Sequence, residues 1–198
     1  MEHITTQEYA TRVENRCSKE FHDNLIPGPV LATVLSAVGD HGLLADAVKK
    51  GLFYGKLEPE WIIKYGIIAA TYGWEPKDGL LSTVNGKNDI PEKQQRLVHA
   101  ILGIITEAGE LADALIAAFA RIQQGKATIE DAFDHVNIRE ELGDVLWYTQ
   151  LGATAIGSSL PEVMTVNDNK LERRYGPAFS ADKATNRDLH AERKELEQ

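Results

Sequence analysis

The sequence has little of what a secreted, nucleic-acid-binding or membrane-spanning protein needs. Cys17 is the one cysteine in 198 residues, which excludes an intrachain disulfide and a thiolate metal cluster. The net charge is -9, whereas following the phosphates of a nucleic-acid polymer requires clustered Lys and Arg. The polar start MEHITTQEYA shows no secretory signal, and we expect no apolar run long enough to span a bilayer. These absences indicate the reducing cytoplasm.

Strand patterns are nearly absent, and apolar residues recur at helical spacing along most of the chain. The polar, turn-rich stretch 74–93, WEPKDGLLSTVNGKNDIPEK, is the best internal boundary. We therefore expect an all-α fold with an N-terminal helical region at 1–93, a second helical domain at 94–178 and a charged C-terminal arm at 179–198. The spacing predicts helices at about 5–20, 29–50, 58–73, 92–124, 136–157 and 160–175.

An internal repeat links the two helical regions. VLATVLSAVGDHGLLADAV, residues 30–48, aligns without a gap over LVHAILGIITEAGELADAL, residues 97–115. Two Ala- and Leu-rich helices can match by chance, but we favour a decayed duplicate that kept its packing and lost its chemistry. The aligned pairs include two glycines and two acids, Gly42 with Gly109 and Asp40 with Glu107.

Acidic residues interrupt the apolar run ILGIITEAGELADALIAAFA at residues 101–120. Glu107 and Glu110 lie about 60° apart on one face of a helix. A solvated face is the simplest interpretation, but an exposed face normally carries long polar side chains. The small residues on this one favour close approach of another group; they are Gly103, Ala114 and Ala117.

A second helix repeats the arrangement, because IREELGDVLWY places Glu141 and Asp144 three residues apart. Four carboxylates brought together without basic partners would repel one another strongly unless divalent cations lay between them. Ligation by oxygen alone favours Mg²⁺ or Mn²⁺ over Zn²⁺. A di-iron site would need Glu-x-x-His, which does not occur in this chain. The sequence therefore predicts an acidic metal site.

A polar stripe follows on the next predicted helix. Asn167, Lys170 and Arg174 fall at i, i+3 and i+7, within about 60° of one another. An amide and two cations suit phosphate oxygens that metal leaves uncovered. The alternative is a solvated basic face.

These motifs together resemble a known family. Glu107-x-x-Glu110, then 30 residues, then Glu141-x-x-Asp144 resembles the metal-binding signature of the MazG-type all-α nucleoside triphosphate pyrophosphohydrolases. LVHAILGIITEAGELADAL and EELGDVLWY resemble the two metal helices of that family. VNDNKLERRYG resembles its Asn-x-x-Lys-Leu-x-x-Arg-Tyr ending, and NRDLHAER resembles the C-terminal arm of a phage-type subgroup.

The resemblance implies a four-helix-type bundle with antiparallel metal helices, and cleavage of a nucleoside triphosphate between its α and β phosphorus atoms. The four acids would hold two or more Mg²⁺ ions (Mn²⁺ possible) that activate a water. Lys170 and Arg174 would stabilise the departing diphosphate. The resemblance also implies a homodimer or homotetramer, and phage-type members favour deoxynucleotides, with dGTP the substrate we favour. If the chain is phage-encoded, its location would be the host cytoplasm.

Three further residues are candidates for contact with the nucleotide. His99 could contact the sugar or a phosphate, or be structural; Trp147 could stack on the base, or pack in the core. Tyr175 could contact the sugar or pack. Two other functions stay open: a helical scaffold or regulator with a vestigial acidic site, and a house-cleaning hydrolase for dUTP, dCTP or modified nucleotides.

Overall fold

A computed structural model describes residues 3–18, 27–56 and 91–197. Every regular element in these ranges is an α-helix, which confirms the all-α prediction. The predicted helix at 58–73 lies outside the described residues. In chain order the helices are α1 (Thr6–Arg16), α2 (Gly28–Tyr54), α3 (Glu92–Gln123), α4 (Ile129–Ala132), α5 (His135–Ala155), α6 (Leu160–Tyr175), α7 (Ala181–Thr185) and α8 (Leu189–Leu196).

The chain divides into two compact units. One unit contains Pro27–Ile156 and therefore holds α2 to α5. The other joins Met1–Ile26 to Gly157–Gln198, and holds α1 with α6, α7 and α8. The two ends of the chain thus contribute to the same unit.

In the first unit α3 is the central helix and packs against both α2 and α5. The contacts between α3 and α5 show that the two helices run in opposite directions. Gly152 lies against Ala100 near one end, Gly103 lies under the ring of Tyr148, and Glu141 approaches Glu107 further along. The two helices that carry the acidic pairs are therefore antiparallel neighbours.

Helices α2 and α3 approach each other through glycine. A Cβ atom built on Gly42 would lie 2.7 Å from the Cα of Gly109, and the reverse holds for a Cβ on Gly109. Phe53 stacks on His99 near one end of this pair, with ring centroids 4.2 Å apart. Small side chains let two helix backbones come this close, so the buried apolar residues here are mainly alanines: Ala45, Ala47, Ala100, Ala112 and Ala118.

Helix α2 corrects one expectation from the sequence. By length and composition Gly28–Tyr54 is long and apolar enough to cross a membrane, with a mean hydropathy of 1.2 over its most apolar window. Counting only unbroken apolar runs missed it, because Asp40 and Asp46 interrupt the run. One such helix is a weak indication of a span, since a helix packed in a bundle has the same composition; α2 packs on α3.

The second unit is fastened by ion pairs between α1 and α6. Asp168 is 2 % exposed and accepts hydrogen bonds from Arg12 and Arg16. Arg16 also pairs with Glu172 and donates to the carbonyl of Gly176 at 3.1 Å. A buried carboxylate of this kind needs its charge partners, because an unpaired buried charge is costly. The α1 arginines therefore hold the two ends of the chain together.

Candidate metal centre

Three carboxylates meet in the first unit. Candidate ligand oxygens of Glu107, Glu110 and Glu141 all lie within 4.8 Å of one another. Helix α3 presents Glu107 and Glu110 one turn apart, and the antiparallel α5 brings Glu141 beside them. Glu107 and Glu141 are each 6 % exposed, whereas Glu110 is exposed. The structure thus brings together three of the four acids that the sequence singled out.

Asp144, the fourth predicted ligand, lies one turn after Glu141 on α5. It is exposed, and it is not one of the three residues whose oxygens meet within 4.8 Å. Its negative charge still contributes to raising the pKa of Glu107. Asp144 therefore lies at the border of the cluster.

Glu107 and Glu141 each have a pKa raised above that of free glutamate. Burial, reinforced by the charges of Glu110 and Glu107, raises the pKa of Glu141 to about 7. Burial and the charge of Glu110 also raise the pKa of Glu107, although Lys49 partly opposes that rise. Asn137 donates a hydrogen bond to Glu141 at 3.1 Å, which orients that carboxyl. Mutual repulsion of neighbouring carboxylates thus adds to burial in raising these pKa values, and a bound divalent cation would relieve both effects.

The donor set fits a hard divalent cation. All three converging groups are carboxylates, and Mg²⁺ and Mn²⁺ prefer oxygen ligands of this kind. No histidine or cysteine belongs to the group. Glu107, Glu110 and Glu141, with Asp144 beside them, are thus the residues that could hold Mg²⁺ or Mn²⁺.

Without metal, the contribution of Glu141 to stability is expected to fall as the pH rises. Glutamate in the unfolded chain has a pKa of 4.5, whereas folded Glu141 keeps its proton up to about pH 7. A raised pKa stabilises the fold below the unfolded value, and this stability is lost as the pH rises through the folded value. Urea unfolding in excess chelator, from about pH 5 to about pH 8, measures the free energy of unfolding across this window.

Glu141→Gln is the matched control, since it has no carboxyl to titrate at this position. The pH dependence of the difference between the two proteins isolates Glu141. The pKa of His99 is lowered by burial and then by Lys49, so its contribution to stability rises with pH. This contribution is common to both proteins and does not enter the difference. A difference that stays constant over the pH range would contradict the raised pKa of Glu141.

Lys49 and Tyr148 belong to this centre, although the motifs did not single them out. The Nζ atom of Lys49, on α2, lies 3.8 Å from a carboxylate oxygen of Glu107 and 3.3 Å from one of Asp46. It also donates a hydrogen bond to the Tyr148 hydroxyl at 3.2 Å. One feature of the sequence could have identified Lys49 as buried. It continues the small-residue face of α2 that Gly39, Gly42 and Ala45 form.

An aromatic cluster adjoins the acids. His99 stacks on Phe53 and lies 6.3 Å, centroid to centroid, from Trp147 and 5.7 Å from Tyr148. The Nε2 atom of His99 is buried and has no hydrogen-bond partner among the described residues. Trp147 packs edge-on against Tyr148 at 4.8 Å yet is 57 % exposed. The Trp147 side chain is therefore largely exposed, whereas the Nε2 atom of the half-buried His99 is enclosed.

Four of the residues predicted to contact the phosphates or the sugar lie on α6, in the second unit. The Asn167 amide donates to the hydroxyl of Tyr9 at 2.7 Å, and Lys170 is partly exposed. Tyr175 packs against Phe179, with ring centroids 5.6 Å apart. Arg174, the remaining one, is already paired with a carboxylate.

The partner of Arg174 comes from the C-terminal arm. Its guanidinium donates to both oxygens of Glu192 on α8, at 2.8 and 2.6 Å, and Arg187 donates to the same carboxylate at 2.7 Å. The hydrogen bond from Arg174, followed in importance by that from Arg187, lowers the pKa of Glu192 to about 2. The sequence pattern of α6 could not show this pair, because Glu192 lies in the arm.

A family model described as the MazG nucleotide pyrophosphohydrolase domain matches residues 95–179. The matched segment begins within α3 and includes all of α5 and α6, so it holds every acid of the cluster. No curated protein matches this chain, and no solved structure does.

Proposed function

We propose, from the match of residues 95–179 to the MazG nucleotide pyrophosphohydrolase domain, that the protein hydrolyses nucleoside triphosphates with a divalent cation. The products would be a nucleoside monophosphate and diphosphate. The observation that carries the proposal is the convergence of Glu107, Glu110 and Glu141 within 4.8 Å, inside the matched segment.

The four acids are proposed as the ligands of two or more Mg²⁺ ions, with Mn²⁺ as a substitute. Bound Mg²⁺ would supply stabilisation of phosphate charge and a water of lowered pKa. The chain itself fixes the ligand geometry: Asn137 orients Glu141, and burial holds Glu107 and Glu141 away from bulk water. Because these two carboxylates lie in a low-dielectric setting, each acts more strongly on a cation than it would in water.

We also propose that two residues of α6, Lys170 and Arg174, contact the phosphates. Asn167 and Tyr175 of the same helix are proposed to assist them. This assignment rests on the motif VNDNKLERRYG and on the charge-assisted hydrogen bonds that Lys and Arg make to phosphate. Arg174 donates to Glu192 through Nε and Nη2, and the five N–H donors of a guanidinium leave Nη1 to contact a phosphate while this pair persists.

For the base and sugar we propose Trp147 and His99, which lie in the aromatic cluster next to the acids. The exposed ring of Trp147 suits stacking on a base. The buried Nε2 atom of His99 lacks a partner, so a polar group of the nucleotide would satisfy it. We favour a deoxynucleotide with guanine as the base, on the resemblance to phage-type members.

We also propose that the chain assembles as a homodimer or homotetramer in the cytoplasm. Large apolar side chains are exposed on the first unit, and contiguous apolar surface is typical of contact sites. Sedimentation velocity distinguishes these assemblies from a monomer. The exposed residues on the three packed helices include Val30, Val34, Val38, Ile101, Ile105, Leu142 and Leu146.

The proposal is tested by incubating the protein with a panel of ribo- and deoxynucleoside triphosphates and Mg²⁺. We expect the monophosphate and diphosphate as products, identified by ion-exchange chromatography, and complete loss of turnover in excess chelator. The chelator removes the divalent cations that would bind the phosphates and activate the water, so no residual activity is expected.

Other outcomes would select other functions. Full turnover in chelator would contradict the metal site, and release of a nucleoside diphosphate with inorganic phosphate would contradict the cleaved bond. Failure to turn over any nucleotide would favour a scaffold with a vestigial acidic site. A strict preference for dUTP, dCTP or a modified nucleotide would favour a house-cleaning role.

A further inference from the structure

Lys49 joins three helices at the acidic centre. It lies on α2, which is outside the matched residues 95–179, and its ammonium contacts Glu107 on α3 and Tyr148 on α5. The Lys49 side chain is 6 % exposed, and that of Glu107 is 8 % exposed. A charge pair shielded from water to this degree interacts more strongly than a surface pair.

The surroundings of Lys49 contain more negative charge than a structural lysine would need. Asp46, at 3.3 Å, would by itself compensate the ammonium. Asp46 is, however, also paired through its other oxygen with the exposed Lys50, at 2.5 Å. The charge of Lys49 is therefore directed in part to Glu107, where it opposes the rise in pKa that burial and the charge of Glu110 cause.

We infer that Lys49 is a positioning residue that acts as a fixed cation at the acidic centre, holding Glu107 in place and weakening the binding of divalent cations there. This inference rests on the proposed function, because it assumes that the acids bind metal. A positive charge beside a ligand repels an incoming cation, but it also offsets the repulsion among the acids while metal is absent. The fold is thus stabilised without metal, at the expense of cation affinity.

The test compares Lys49→Met with the wild-type protein without any nucleotide. Methionine keeps much of the length of lysine and removes the charge. Calorimetric titration with Mg²⁺ and Mn²⁺ is expected to give a dissociation constant about tenfold lower in the variant, the scale of a screened unit charge a few ångströms from a divalent ion. In chelator the variant is expected to melt at a lower temperature, and the gain in Tm on adding Mg²⁺ is expected to exceed the wild-type gain.

Lys50→Met is the matched control. Lys50 is the next residue on the same helix and shares Asp46 as partner, but its side chain is 53 % exposed. Because solvent screens the exposed Lys50, we expect this variant to change the metal affinity and the Tm gain far less than Lys49→Met does. Should Lys49→Met be unfolded in chelator, recovery of helical circular dichroism on adding Mg²⁺ replaces the melting comparison.

Several outcomes would overturn the inference. Unchanged or weaker cation binding in Lys49→Met would show that the lysine does not oppose the metal. So would a Tm lowered equally with and without Mg²⁺, or a variant that stays unfolded in both. If the wild-type protein binds neither Mg²⁺ nor Mn²⁺, the proposed metal site is wrong. If the wild-type protein and Lys49→Met bind the cation equally well, the metal site stands and only the role of Lys49 is wrong.

Discussion

Replacing Glu110 or Glu141 by Gln is expected to lower kcat for nucleoside triphosphate hydrolysis by at least about 10²-fold, the usual loss when a principal electrostatic group at a site is removed. The neutral amide keeps the size of each side chain but loses the negative charge that a cation requires. Both residues belong to the group that meets within 4.8 Å. Steady-state kinetics at saturating Mg²⁺ measures the effect.

Asp40→Asn is the matched control for these variants. Asp40 aligns with Glu107 in the internal repeat and is exposed on α2, so its replacement should leave kcat unchanged. Full activity in Glu110→Gln and Glu141→Gln would show that the acidic group is not the site. A loss in Asp40→Asn as large as theirs would contradict the idea that the first copy of the repeat has lost its chemistry.

The helices of the first unit could be predicted closely from local patterns. The expected spans 92–124 and 136–157 correspond to Glu92–Gln123 and His135–Ala155. Pro91 precedes α3, and the carboxylate of Asp134 caps α5 by accepting hydrogen bonds from two backbone amides. Both signals can be read within a few residues. Helix α2 ran past the expected end at 50 to Tyr54, because the glycine that ends it in a left-handed conformation is Gly55.

The helix expected at 160–175 in the second unit likewise corresponds to Leu160–Tyr175, but the pairing of the helices in this unit could not be predicted from local patterns. Its α1 pairs with α6 through Arg12, Arg16 and Asp168, and more than 150 residues separate these partners along the chain. An arginine on an amphipathic helix has the same local pattern whether it meets water or a distant carboxylate. The ends of the chain therefore carry no local sign that they belong to one unit.

The same limit applies to the site. Glu107, Glu110 and Glu141 could be predicted because each pair of acids repeats at helical spacing and the two helices follow one another in the chain. Lys49 reaches Glu107 only through the packing of α2 on α3. Glu192 likewise reaches Arg174 only through the packing of α8 on α6. Periodicity gives the face of a helix that a residue occupies, not the partner opposite that face.

The internal repeat corresponds to a contact between equivalent residues in the fold. Gly42 and Gly109 occupy equivalent positions in the two copies, and these two residues contact each other where α2 meets α3. Two copies related by an approximate twofold axis would place an equivalent pair in this relation, which supports the proposed duplication. The retained feature is the close packing, because Leu43 stands in the first copy where Glu110 stands in the second.

Gly42→Ala is expected to destabilise the protein by about 1–3 kcal/mol, the usual cost of forcing an extra group into a well-packed contact. The added methyl would lie 2.7 Å from the Cα of Gly109, and backbone cannot turn aside as a flexible side chain can. The helices must separate, which would also disturb the contact of Lys49 with Glu107. Urea unfolding followed by circular dichroism, in excess chelator, measures the change in the free energy of unfolding.

Gly143→Ala provides the comparison that separates packing from helix propensity. Gly143 lies within α5, and a Cβ built on it meets nothing within 4 Å. Alanine is the better helix former by about 1 kcal/mol, so this variant is expected to be as stable as the wild-type protein or more so. The same gain in propensity is available at Gly42, so a loss of stability there must come from the contact between helices. If Gly42→Ala matched Gly143→Ala in stability, the close approach of α2 to α3 at Gly42 and Gly109 would be wrong, and with it the packing that the internal repeat predicts.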